Sequence, residues 1–183
     1  LKTVEGRLNS ISGPKEEINQ VLGEAYFFRA YHYFGKLQTY GDYPIVKEAL
    51  PNKEEILVEQ AKRQPRNEVA RFILSDLDKA IELLKESTPR KQRISKMAAR
   101  LFRSRVALFE GTFEEYHKGS GRVPGDASWP GKDKEWNKGK TFNQAGEIKY
   151  FLTEAMKDAK IVADAVQLTP NTGVTNPTTS VYG

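Results

Sequence analysis

The sequence contains no cysteine, which excludes a disulfide framework, a thiolate metal site and a cysteine nucleophile. Histidine occurs only at His32 and His117, and neither stands in a His-Glu-x-x-His or other spaced ligand pattern. No metal and no cofactor is therefore expected. No stretch approaches the ~18 consecutive apolar residues that a membrane-spanning helix needs. A phosphate-cradling loop is also missing, because Gly119-Ser120-Gly121-Arg122 lacks both the nucleotide-loop lysine and a preceding strand. The first residue is Leu1, with no charged and apolar leader before it. The chain thus reads as a fragment of a longer one, in which any signal peptide or lipid-bearing cysteine lies upstream.

What is present is helical pattern. A length of 183 residues suits one domain, and 38% hydrophobic against 29% charged residues suits helices with a wide solvated face. The single helical region, 1–183, divides into four helices at about 15–40, 66–86, 95–117 and 146–168, with an irregular loop insertion at 118–145. The first helix follows Ser12-Gly13-Pro14, with Ser12 as candidate cap, and crowds seven Phe and Tyr residues between Tyr26 and Tyr40. Apolar residues nearly all round its circumference predict a central helix covered by neighbours, with His32 packed and hydrogen-bonded inside. Gly41-Asp42-Tyr43-Pro44 ends it, since glycine supplies a positive-φ cap and proline cannot continue the ladder.

Val69, Phe72, Ile73, Leu77, Ala80, Ile81 and Leu84 recur at steps of three and four, an amphipathic helix that Asn67 can cap. Ser95 caps the third helix, whose inner stripe is expected at Ala98, Leu101, Phe102, Arg105, Leu108 and Phe109. Ile148, Phe151, Leu152, Ala155, Ala159 and Val162 mark the fourth. The segment after Thr169, rich in Thr, Asn, Pro and Gly, reads as loop. Stacked antiparallel pairs of this kind predict an all-α fold of tetratricopeptide-like type, although the full repeat consensus is absent.

Chemistry announces itself weakly. Glu114, Glu115 and His117 allow an acid/base site to be drawn, but a solvated helix end is the better account of them. Between Lys85 and Arg105 there are eight basic residues against the single acid Glu86, so the net charge of +5 is concentrated locally. Such a face can dock an acidic partner. Nucleic acid is not expected, because the only aromatic in the stretch is the inward-facing Phe102. The insertion carries both tryptophans, Trp129 and Trp136, beside Asp126, Asp133 and Asn137. Two readings fit: rings that stack on a sugar while Asp126 and Asn137 bond its hydroxyls, or rings folded down to anchor the insertion on the helices.

The motif Gly23-Glu-Ala-Tyr-Phe-Phe to Tyr40-Gly-Asp-Tyr-Pro44 resembles the aromatic helix and Tyr-Gly-Asp-x-Pro turn of SusD/RagB proteins. Residues 72–84 (FILSDLDKAIELL) and 95–117 (SKMAARLFRSRVALFEGTFEEYH) resemble the next two hallmarks in order. Two departures stand out: Gln92-Arg93-Ile94 replaces the usual Gly-Arg, and VQLTPNTGV at 166–174 replaces the usual ending after the fourth helix. The resemblance implies a non-catalytic outer-membrane lipoprotein on the cell surface, attached by an N-terminal lipid outside this sequence. It implies capture of oligosaccharide and delivery to a SusC-like TonB-dependent transporter. The alternative function is a helical adaptor docking an acidic partner through its basic face.

Overall fold

A computed structural model describes residues 5–88 and 92–168. Among them are α1 (Lys15–Tyr40), α2 (Glu54–Gln60), α3 (Arg66–Leu83), α4 (Lys96–His117) and α5 (Gln144–Ala165). Single 3-10 turns occur at Leu8–Ser10 and Glu135–Asn137. The short helix α2 lies in what the sequence presents as a polar linker, and none of its residues is buried. The expected loop after Thr169 and the basic residues Arg90 and Lys91 lie outside the described residues.

The long helices run up and down in order, with α1 packed on α3, α3 on α4, and α4 on α5. Cross-contacts fix the direction of each pair. Arg29 of α1 meets Asp76 while Gln20 accepts from the Lys85 N–H just past α3. Arg66 meets Glu110 while Asp78 meets Arg103, and Ser104 donates to the Ala155 carbonyl while Arg100 meets Asp158. Each helix is thus antiparallel to the next, the helical-pair architecture that the periodicity predicts. The core runs through Phe27, Phe34 and Leu37 of α1, Ile73 and Leu77 of α3, Val106 of α4 and Phe151 of α5. Complete burial of a side chain such as Ile73 or Leu77 stabilises by about 1.5–3 kcal/mol. At Gly111, a Cβ would sit 2.9 Å from the Leu152 side chain and 3.2 Å from its backbone nitrogen, so a missing side chain lets α4 and α5 approach closely.

Several local expectations require correction. Helix α1 is an outer helix: Phe28, Tyr31 and Tyr40 are more than half exposed, and His32 is also on the solvent face. The inner stripe of α4 is Ala99, Arg103, Val106, Ala107, Glu110 and Glu114, whereas Leu101, Arg105 and Leu108 face solvent. Apolarity misplaced that stripe because α4, pressed between two helices, buries ion pairs. Ser12 does not cap α1 and Asn67 does not cap α3; the cap of α3 comes from across the fold, as the Arg66 N–H donates to Asp42 Oδ1 at 2.9 Å. Ser95 does cap α4, accepting from the Ala98 N–H at 3.3 Å.

A candidate ligand cleft at the end of α1

Helix α1 stops at Gly41, whose φ of 68° suits glycine and whose N–H donates to the Leu37 carbonyl. The chain then runs extended, and Tyr43 exchanges two backbone hydrogen bonds with Gln64 at 3.1 Å, just ahead of α3. Asp42 is therefore held beside the first turn of α3. Its second oxygen, Oδ2, accepts from the Trp129 indole N–H at 3.0 Å. One carboxylate thus joins the end of α1, the start of α3 and the insertion. Burial pushes its carboxyl above the usual range, against the opposing pull of those two donors.

The insertion is built around a second aspartate. The Asp126 carboxylate accepts from the N–H groups of Gly119, Gly121 and Val123 and from the Gln144 side chain. Burial opposes ionisation there, yet these donors hold the carboxyl below its ordinary value. Gly119 and Gly121 take φ of 80° and 81°, which lets successive N–H groups converge on the carboxylate. Trp129 is 2% exposed, its ring edge-on to Phe142 at 5.0 Å. Asn137 is also buried and donates to the Gly131 carbonyl at 2.9 Å.

Of the four expected sugar contacts, then, Trp129, Asp126 and Asn137 are buried, with the indole N–H, the carboxylate and the amide nitrogen bonded within the protein, while Trp129 still forms part of the cleft wall and Asn137 Oδ1 has no partner among the described residues. They follow the anchoring reading, because a 26-residue stretch without periodicity between α4 and α5 needs internal partners for its backbone. Trp136 differs. It is half-buried, its indole N–H donates to the Arg63 carbonyl at 2.9 Å, and Lys62 lies 5.8 Å from the ring centroid. Asp133 is exposed.

Trp136 borders an open cleft of about 720 Å³ between the insertion and the ends of α1 and α3. Tyr40, Asp42, Arg63, Arg122 and Lys134 also line it. Sequence reasoning missed these five residues as a group, since single basic and aromatic residues in non-periodic segments leave no pattern. The Tyr40-Gly-Asp motif was the available signal. Deeper in, Arg66 stacks its guanidinium 3.3 Å from the Phe113 ring centroid and forms a bidentate pair with Glu110 at 2.7–2.8 Å. Glu114 and His117 do not meet in this cleft: Glu114 is 1% exposed within the helical core, and His117 packs on Phe113 at 4.3 Å.

The basic stretch is largely neutralised by the fold. Lys85 pairs with Glu17, Arg93 with Glu24 and Lys96 with Glu86. Arg100 meets Asp158, and Arg103 sits among Asp78, Glu154 and Asp158. Five of the charges that look like a patch in sequence are therefore cross-links of the bundle, while Arg105 faces solvent without an ion pair among the described residues. Among the described residues, no helix is long and apolar enough to cross a membrane, and no cluster of His, Asp and Glu could hold a metal.

Comparison with known proteins agrees with this architecture. Residues 3–108 match the SusD-like family described as starch-binding, associating with outer membrane. A SusD-like protein P2 of Formosa agariphila is 30% identical over 105 residues, which are 57% of this chain and 20% of that protein. A solved SusD-like protein from Bacteroides fragilis superposes with a TM-score of 0.52 at 30% identity, over 62% of this chain and 22% of its own. Another solved structure, 22% identical, shares the fold over 92% of this chain and 27% of its own, with a TM-score of 0.53. The chain belongs to the SusD-like family. It spans about a fifth of the length of these first two relatives.

Proposed function

We propose that this chain is the helical part of a non-catalytic, outer-membrane lipoprotein that holds an oligosaccharide in the cleft at the end of α1 and passes it to a TonB-dependent transporter of the SusC type. The observation that carries the binding step is the cleft of about 720 Å³ with Trp136 and Tyr40 on its border. Flat rings partly open to solvent offer the apolar surface on which a sugar face packs. The family description supports glycan as the ligand and the outer membrane as the location. Attachment is through an N-terminal lipid outside the present sequence. Trp129, Asp126 and Asn137 act here by holding the insertion in place, so their contribution to binding is indirect.

Calorimetric titration of the full-length protein with a panel of oligosaccharides tests this reading. Trp136→Ala and Tyr40→Ala should each weaken binding by about tenfold, the effect of losing ~1.4 kcal/mol of ring contact. Unchanged affinity in the double variant overturns the assignment of the cleft.

A further inference from the structure

The charge lining the cleft is lopsided. Four cations, Arg63, Arg66, Arg122 and Lys134, face a single carboxylate, Asp42. Arg66 is 4% exposed and satisfied by the two oxygens of Glu110. Asp42 is occupied by the Arg66 N–H and the Trp129 indole. Arg63, Arg122 and Lys134 remain, all exposed, and none of them pairs with a carboxylate among the described residues. Residues 1–4, 89–91 and 169–183 contain no Asp or Glu, so those stretches supply no side-chain counter-charge. This contrasts with the other end of α1, about 39 Å away at 1.5 Å per residue, where Lys85, Arg93 and Lys96 each have a carboxylate partner.

We infer that the ligand of this cleft is an anionic oligosaccharide, one carrying uronate carboxylates or sulfate esters, gripped by Arg63, Arg122 and Lys134 while its ring packs at Trp136 and Tyr40. This rests on the reading that the cleft holds a glycan and narrows it to a chemical class. A neutral sugar needs donors and acceptors in balance, since each hydroxyl offers both. The three free side chains offer donors alone. Planar guanidinium groups match the two-oxygen edge of a carboxylate or sulfate, and a lysine adds a point charge that tolerates variable spacing. Aromatic rings next to cations also suit an acidic sugar, whose ring face is apolar while its charge sits at the rim.

The test titrates the full-length protein with four hexasaccharide-sized probes: maltohexaose and xylohexaose as neutral sugars, hexagalacturonate as the carboxylate, and a carrageenan-derived fragment as the sulfate ester. One or both anionic probes should bind at least about tenfold tighter than the neutral ones, the size of one charged hydrogen bond. That advantage should shrink as NaCl rises from ~0.05 to ~0.5 M, since exposed charges are screened. Arg63→Gln/Arg122→Gln, both at exposed positions, should remove the preference by bringing the affinity for the anionic probes down to that for the neutral ones. Which anionic probe wins assigns carboxylate or sulfate. Neutral probes binding as tightly as anionic ones, or a preference that survives the double variant, overturns the anionic class and leaves glycan capture intact. No binding of any probe overturns the glycan reading, and the anionic class with it.

Discussion

Glu114 offers the sharpest test of how this core is held together. Its carboxyl is 1% exposed, and neither oxygen receives a hydrogen bond. Burial pushes its pKa up from an ordinary 4.5 to about 9, helped by the nearby Glu110 and Glu147 and opposed by Arg66. Arg66 is bound to Glu110 and Arg71 to Glu147, so no cation is left over for a second buried charge. Glu114 therefore carries a proton at neutral pH. In the unfolded chain that proton leaves near pH 4.5. Between about pH 5 and pH 9 the folded state binds more protons than the unfolded state, so stability falls as pH rises, by up to ~1.4 kcal/mol per unit. From pH 6 to pH 8 the loss is on the order of 2–3 kcal/mol, or several degrees in Tm for a chain of this size. Glu114→Gln keeps the shape, supplies an amide donor toward Glu110 and cannot ionise. Urea unfolding followed by tryptophan fluorescence at pH 6, 7 and 8 should show the parent losing stability relative to this variant as pH rises. Parallel pH profiles for the two proteins would refute the buried proton on Glu114.

Two further outcomes follow from buried contacts. Arg66→Met leaves the buried Glu110 without its counter-charge beside Glu114 and should destabilise by about 3–5 kcal/mol in thermal melts, while Arg66→Met/Glu110→Met should recover most of that loss. Gly131→Ala would set a methyl carbon 2.1 Å from the Trp129 ring. It should unseat that indole, seen as a red-shifted fluorescence, while helical circular dichroism stays near that of the parent.

Much of the bundle is legible because its helices obey a single period. The α3 pattern from Val69 to Leu84 names Val69, Ile73, Leu77, Ala80, Ile81 and Leu84 of its buried face, and leaves out the equally buried Ala70, Leu74 and Asp76. Helix α4 shows the limit. Its most buried positions include Arg103, Glu110 and Glu114, which pattern reading assigns to solvent, while Leu101 and Leu108 are more than half exposed. Charges enter a core only where partners from other helices meet them, and those partners are distant in sequence: Asp158 lies 55 residues from Arg103, and Arg66 lies 44 from Glu110. The same non-locality misdirects the charge reading. Five cations of the dense run from Lys85 to Arg105 are paired with acids brought in by folding, whereas the sparse Arg63, Arg122 and Lys134 line one cleft without any. The tryptophans were visible as a pair, but their division into an anchor and a cleft-facing ring depends on Asp42, 87 residues before Trp129.

Asp42 explains why the turn after the aromatic helix matters to function even though most of that helix is scaffold. A carboxylate has two oxygens, and here each one serves a different element: Oδ1 caps α3, and Oδ2 holds the insertion through Trp129. Without the first, α3 loses a cap at its most crowded end, beside the buried Arg66 and Glu110 pair. Without the second, the insertion loses the side-chain hydrogen bond that ties its buried indole to the helical end, and the cleft loses a fixed wall. Because Gly41 sets the chain's direction and the Tyr43 to Gln64 bridge sets its depth, that aspartate can reach both. Stability of the bundle and shape of the binding cleft are thus joined at one side chain. Substitutions that loosen the cleft through Asp42 should also loosen α3, whereas those at Trp136, Arg63 or Arg122 should alter binding alone.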